Sequence, residues 1–100
     1  MNEKMLTRTK ASYILEISDK TGIHKRDVSL VVSSFINALT KSLVKNERIE
    51  LRGLGVLKNK RRRARIARNP RTGDKVQVDE RLVPTYKPSS LLKRRINKPS

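Results

Sequence analysis

The apolar positions change their period several times along the chain, and each change marks an expected element. Residues 1–8 are polar and without period, so they read as a loose N-terminal extension. From Thr9 the pattern becomes helical: Tyr13, Ile14 and Ile17 are spaced to share a face, and Thr21-Gly22 supplies a stop. A second helix is expected from Lys25 to Lys45, with Asp27 in the first turn and Lys41 and Lys45 near the end, each sign suited to the helix dipole. At 3.6 residues per turn, Val28, Val31, Val32, Phe35, Ile36, Leu39 and Leu43 gather into a stripe about 140° wide, with Ser33, Asn37, Thr40 and Lys41 opposite. One short helix and a small sheet leave part of so broad a stripe uncovered. A second copy of the chain is the economical cover, which makes Val28, Val32, Phe35, Ile36, Leu39 and Leu43 the expected dimer core.

After Asn46 the period shortens. Arg48 to Leu51 and Val56 to Asn59 flank Gly53-Leu54-Gly55 as a β-hairpin, with the glycines serving the turn rather than a phosphate cradle, since the rest of a dinucleotide fingerprint is missing. Lys58 to Arg71 then holds eight basic residues in fourteen and no acid, so it cannot build a core. In Asn69-Pro70-Arg71-Thr72-Gly73 the Asn-Pro pair starts a turn and the glycine tolerates a left-handed conformation, and Val76 and Val78 alternate with polar neighbours as a returning strand. The two basic strands and their turn thus form a protruding hairpin. Val83 to Tyr86 leads back towards the body, and Lys87-Pro88 breaks the strand. Ser89-Ser90 caps a short last helix with Leu91, Leu92 and Ile96 on its apolar side, ended by Pro99.

Charge sharpens this outline. The chain of 100 residues carries a formal net charge of +16, which calls for a polyanionic partner. Residues 1–50 contribute a net +3 and residues 51–100 a net +13, so the second half makes the contact. Three aromatic residues, Tyr13, Phe35 and Tyr86, are few for a protein that stacks single-stranded bases on rings, and duplex backbone or groove binding fits better. The absence of cysteine excludes disulfide scaffolds and thiolate metal sites. No apolar run approaches a membrane span and the start lacks the apolar segment of a secretory signal, so a cytosolic setting is expected.

The order helix, helix, hairpin, basic arm, short helix resembles the histone-like HU and integration host factor family. The residues that carry the resemblance are Gly53-Leu54-Gly55, the spaced basics Lys60, Arg62, Arg65 and Arg68, the tip Arg68-Asn69-Pro70-Arg71-Thr72-Gly73, and Val83-Pro84-Thr85-Tyr86-Lys87-Pro88. It extends over roughly Lys10 to Lys98. It implies an α+β fold: an intertwined homodimer or heterodimer with a helical body, a three-stranded antiparallel sheet extended into a long β-hairpin arm, and a short C-terminal helix. The DNA-binding domain would span residues 9–98, with the arm at about 58–80. Two arms would embrace double-stranded DNA through the minor groove, with Pro70 wedged between base pairs to kink the duplex. The DNA-binding set implied is Lys58, Lys60, Arg61, Arg62, Arg63, Arg65, Arg68, Asn69, Pro70, Arg71, Lys75, Lys87 and Lys93, with Arg61 and Arg63 open to being turned away by strand alternation. Leu54 and Leu57 stand where the family has phenylalanines, so aliphatic packing is expected there. Ser89-Ser90 stands where the family commonly has Gly-Lys, which weakens the expected contact at the last helix unless Lys93, Arg94 and Arg95 compensate.

Each feature also has a plainer reading. Asn-Pro in a tight hairpin is explained by turn geometry alone, and a basic run can be a solvated tail, although flanking strand signals oppose that here. His24, just before the second helix, reads as a helix-entry residue rather than a ligand. Asp27, Asp74, Asp79 and Glu80 lack a nucleophile, base and pocket and read as surface charge balance. The expected function is therefore architectural and non-enzymatic: low-specificity duplex binding that bends or compacts DNA in the nucleoid, with no cofactor, metal, membrane or small-molecule substrate. The alternatives are an RNA-binding component of a ribonucleoprotein and, more weakly, a cationic membrane-surface protein, for which no helix pairs a basic face with a bulky aromatic one.

Overall fold

The computed structural model describes residues 5–98; residues 1–4 of the expected N-terminal extension and Pro99 lie outside them. The chain forms two compact units, Met1–Thr40 and Lys41–Ser100.

The first unit holds helix α1 (Lys10–Thr21) and most of α2 (Lys25–Val44). Thr9 caps α1 in a reciprocal box: its hydroxyl accepts from the Ser12 N–H at 3.2 Å and the Thr9 N–H donates to the Ser12 hydroxyl at 2.8 Å. Gly22 closes α1 with its N–H on the Ser18 carbonyl at 2.9 Å. Arg8 reaches back over α1, with its guanidinium 2.8 Å from Glu16 and 5.1 Å from the centre of the Tyr13 ring. His24 enters α2 by capping it, since its Nδ1 accepts the Arg26 N–H at 3.0 Å. Lys10 Nζ meets the Ser33 hydroxyl at 3.3 Å and links the two helices.

Alpha-helix α2 is long and apolar enough to cross a membrane by length and composition, with a mean hydropathy of 1.2. That corrects the expectation of no such segment. Seven of its apolar positions are nevertheless gathered on one stripe, with Ser33, Asn37, Thr40 and Lys41 opposite beside the exposed Leu30 and Val44, and so one-sided a stripe is the pattern of a helix packed on protein. Burial along that stripe is uneven, with the side that carries Phe35 and Val31 left open. Val28 is 5% exposed and Val32, Leu39 and Leu43 are half-buried, whereas Phe35 is 52% and Val31 67% exposed. The described residues contain three buried large apolar side chains, Ile14, Val28 and Ile49.

In the second unit α2 ends in a left-handed Asn46 with φ of 60°. The Glu47 N–H reaches the Ser42 carbonyl at 2.9 Å and the Asn46 N–H the Leu43 carbonyl at 3.0 Å, the paired bonds of a Schellman motif. Strands β1 (Ile49–Leu51), β2 (Gly55–Arg62) and β5 (Arg81–Pro88) form an antiparallel sheet in the order β1-β2-β5. Asn59 on β2 donates to the Leu43 carbonyl at 2.7 Å and so satisfies the end of α2 from the sheet.

Strand β5 runs on through Lys87 and Pro88, where a break was expected. It pairs on one side only, so Pro84 and Pro88 leave no ladder donor missing there. Helix α3 (Ser90–Asn97) follows, capped by the Ser89 hydroxyl, which accepts the Leu92 N–H at 3.0 Å. Ser89 also donates to the Gly53 carbonyl at 2.9 Å, and Tyr86 donates its hydroxyl to the Leu54 carbonyl at 2.8 Å. The β1-β2 turn is thereby stitched to the start of α3. Leu57 is half-buried, but Leu54 is 48% exposed, so the aliphatic packing expected at both positions is found within this chain at one of them.

Candidate nucleic-acid interface

The arm is a two-stranded ribbon in one register. Strand β2 pairs with β5 from Gly55↔Pro88 to Arg62↔Arg81, and β3 (Arg65–Arg68) pairs with β4 (Lys75–Val78) from Arg65↔Val78 to Arg68↔Lys75. Arg63 and Ala64 face Asp79 and Glu80 across the gap without strand pairing, so the arm is two ladders rather than one continuous hairpin.

Two like-charged pairs stand directly opposite one another in this ribbon, Arg62↔Arg81 near the gap and Arg68↔Lys75 near the tip. Directly opposed cations destabilise a strand pair unless an anion sits between them. Arg62, Arg63, Arg65 and Arg81 line one hollow around Ala64, with no acid among them. Such a hollow suits a phosphate, because the planar guanidinium offers forked donors to its oxygens.

The acids of the arm do not cancel this field. Glu80 binds Arg61 at 2.7 Å, while Asp74 lies at the tip turn and Asp79 in the gap. Alternation along β2 puts Lys58, Lys60 and Arg62 on one face and Arg61 on the other. In β3 it separates Arg65 from Arg68. The basic residues therefore lie on both faces of the ribbon. Lys58, Lys60, Arg61, Arg62, Arg63, Arg65, Arg68, Arg71, Lys75, Lys87 and Lys93 are all exposed.

At the tip the turn is shaped by Asn69 and Gly73. The Asn69 N–H donates to the Asp74 carbonyl at 2.8 Å, the Gly73 N–H to the Asn69 carbonyl at 2.7 Å, and the Arg71 N–H to the Asn69 side-chain oxygen at 2.9 Å. Gly73 has φ of 75°, the left-handed conformation that its place in the turn was expected to need. Arg68 bridges to the Gly73 carbonyl at 3.1 Å. Pro70 is held exposed at the apex and takes no part in these bonds.

Two sets of basic residues lay outside the sequence reading. Arg81 follows two acids on the return strand, and only the register brings it to Arg62. Arg48 and Arg52 join Lys58 and Lys87 beside Ser89 and Ser90 in a hollow at the root of the arm. Their signal in the sequence was the isolated Arg52 inside a turn, but the start of α3 is distant in sequence and its approach is a tertiary fact. Lys93 lies in the first turn of α3 and is not among the residues lining that hollow. Among the described residues no group of three His, Cys, Asp or Glu is placed to hold a metal ion.

Comparison with known proteins agrees with this geometry. The family model for bacterial DNA-binding proteins matches residues 8–97. The chain is 38% identical over 90 residues to integration host factor subunit beta of Pseudoalteromonas atlantica, covering 89% of this chain and 94% of that one. Its fold is similar to that of HU from an Anabaena HU-DNA cocrystal structure, with a TM-score of 0.83 at 21% identity, covering 92% of this chain and all of that one. It is also similar to HU from Thermotoga maritima, with a TM-score of 0.63 at 22% identity, covering 90% of this chain and all of that one. The protein belongs to the bacterial DNA-binding protein family, as an architectural DNA-binding protein of the HU and integration host factor type.

Proposed function

We propose that two copies of the chain form a helical base from which two basic ribbons clasp duplex DNA through its minor groove, bending or compacting it with weak sequence preference. The observation that carries this reading is the opposed Arg62↔Arg81 pair within an acid-free hollow of four arginines, an arrangement that costs energy in the free protein and gains it against a polyanion. Lys58, Lys60, Arg61, Arg62, Arg63, Arg65, Arg68, Arg71, Lys75, Lys87 and Lys93 supply phosphate and groove contacts, and Asn69 and Arg71 flank the Pro70 wedge. Each neutralised phosphate releases counterions, so affinity falls steeply with salt. The minor groove offers a degenerate pattern of donors and acceptors, so shape and deformability select the site. The protein acts by binding, without catalysis, in the nucleoid of a bacterial cytoplasm.

The second copy covers the open side of the α2 stripe, where Phe35 and Val31 stand exposed. A homodimer is the first reading. A heterodimer is the second, favoured by a 38% identical relative that is by name a subunit of integration host factor. A circular-permutation bending assay run with a measurement of subunit mass tests the whole scheme. The expected result is a position-dependent mobility shift from a dimer. A monomer that leaves linear and distorted duplexes unbound at low ionic strength, or that prefers folded RNA, would refute it.

A further inference from the structure

The tip hairpin has two unlike faces. Side chains alternate along a strand and directly paired residues share a side. The register therefore sets Arg65, Ala67, Val76 and Val78 on one face and Ile66, Arg68, Lys75 and Gln77 on the other. On the first face Ala67 and Val78 are half-buried. On the second, Ile66 is 72% exposed, a large β-branched side chain among two cations and an amide. Strand propensity does not demand isoleucine there, because threonine serves a half-exposed strand as well. The cations beside it supply the missing cover: a polyanion that satisfies Arg68 and Lys75 must also close over Ile66.

We infer that Ile66 is a specificity-determining contact of the arm, packing on the deoxyribose edges of the minor groove and favouring duplex DNA over duplex RNA. This rests on the arm-in-groove reading given above. The B-DNA minor groove is narrow, about 6 Å wide, so a ribbon within it lies close to both sugar walls. In DNA those walls are largely C–H surface, which an isoleucine covers favourably. In an A-form RNA duplex the minor groove is wide and shallow and displays 2′-hydroxyls. An isoleucine laid on these hydroxyls strips them of water and offers no hydrogen bond in return. Sugars carry no base identity, so Ile66 selects the type of nucleic acid and not its sequence.

The test uses the full chain with Ile66→Ala, Ile66→Thr and Ile66→Val, each titrated calorimetrically at several temperatures against DNA and RNA duplexes of one sequence. Ile66→Ala is expected to weaken DNA binding by about five- to tenfold, the loss appropriate to one uncovered aliphatic side chain. The heat-capacity change of binding becomes less negative, the salt slope stays the same because no phosphate contact is lost, and RNA binding stays within about twofold, so the DNA-to-RNA ratio narrows. Ile66→Thr, which keeps the β-branch, behaves as Ile66→Ala, whereas Ile66→Val retains most of the preference. Thermal stability is unchanged throughout, since the side chain is exposed. Unaltered DNA affinity and heat capacity in the Ala and Thr variants, or equal losses on both nucleic acids, would overturn the assignment while leaving the arm-in-groove reading intact. Failure of the unmodified chain to bind duplex DNA would overturn both.

Discussion

The α-carbon of Gly55 lies directly against the main-chain carbonyl of Lys87, and the Tyr86 ring closes the space beside it. A Cβ at Gly55 would overlap that carbonyl, and φ of 151° adds a conformation that side chains resist. Close approach, more than the turn itself, is thus what this glycine provides. Gly55 is also where β2 first pairs with β5, opposite Pro88, so the contact sets the root of the arm. Gly55→Ala is expected to destabilise the protein by about 3 kcal/mol through overpacking and backbone strain. Denaturant unfolding at fixed protein concentration measures it, and an unmoved midpoint would mean that the root relaxes without cost.

Ser89 carries two bonds through one hydroxyl, accepting from the Leu92 N–H and donating to the Gly53 carbonyl. Ser89→Ala removes the helix cap and the stitch to the β1-β2 turn together, at an expected cost of about 1–2 kcal/mol. Ser89→Asp keeps the cap acceptor but cannot donate to Gly53, so its melting temperature should fall between those of the native protein and the Ala variant. Equal melting temperatures for Asp and Ala would show that the cap contributes little and the stitch carries the effect.

The parts of this fold that depend on neighbours in sequence were readable from it. Thr9 and Gly22 bound α1, and Asn69, Pro70 and Gly73 build the tip, because caps and turns are settled within a few residues. The width of the α2 stripe announced a surface that the chain itself leaves partly open. What escaped the sequence depends on position in the sheet. Pro84 and Pro88 did not end β5 because an edge strand has an unpaired side, and which strand is the edge is fixed only by topology. The pairing of Arg62 with Arg81, and the approach of Arg52 to the start of α3, likewise need the register and the packed turn. The gap in the arm ladder at Arg63 and Ala64 has no marker in the sequence beyond the acids Asp79 and Glu80 opposite.

If a second chain covers the α2 stripe, charge placed there must interfere with association. Phe35→Asp would desolvate a carboxylate in the joint, and sedimentation is expected to show loss of dimer, with a lower unfolding midpoint that no longer depends on protein concentration. Asn37→Asp, on the opposite side of the same helix, changes the charge equally and should leave the mass at two chains. A native protein that already sediments as one chain would remove the dimer from the proposal.

Arg62 and Arg65 both line the arginine hollow although they lie on strands to either side of the gap. Replacing both with alanine is expected to weaken binding to all duplex sequences alike. It should flatten the slope of log affinity against log salt by about 1.8, since each phosphate contact contributes about 0.9. Binding isotherms at several salt concentrations give that slope directly. A slope equal to that of the native protein would place neither arginine on phosphate.

Pro70 stands at the apex of a turn whose hydrogen bonds are made by Asn69, Arg71, Gly73 and Asp74. None of those bonds uses Pro70, so Pro70→Ala should leave the turn closed and the neighbouring cations in place. The variant therefore separates the two roles that Asn-Pro can play. If proline serves only the turn, bending and affinity both survive its removal within small limits. If it wedges between base pairs, the bend is lost while the phosphate contacts, and most of the affinity, remain. The expected outcome is the second: a smaller bend angle in circular-permutation gels, with an affinity change of less than about tenfold and an unchanged salt slope. Equal bend angles would assign Pro70 to turn geometry alone and leave bending, if any, to the wrapping of the duplex along the arginines.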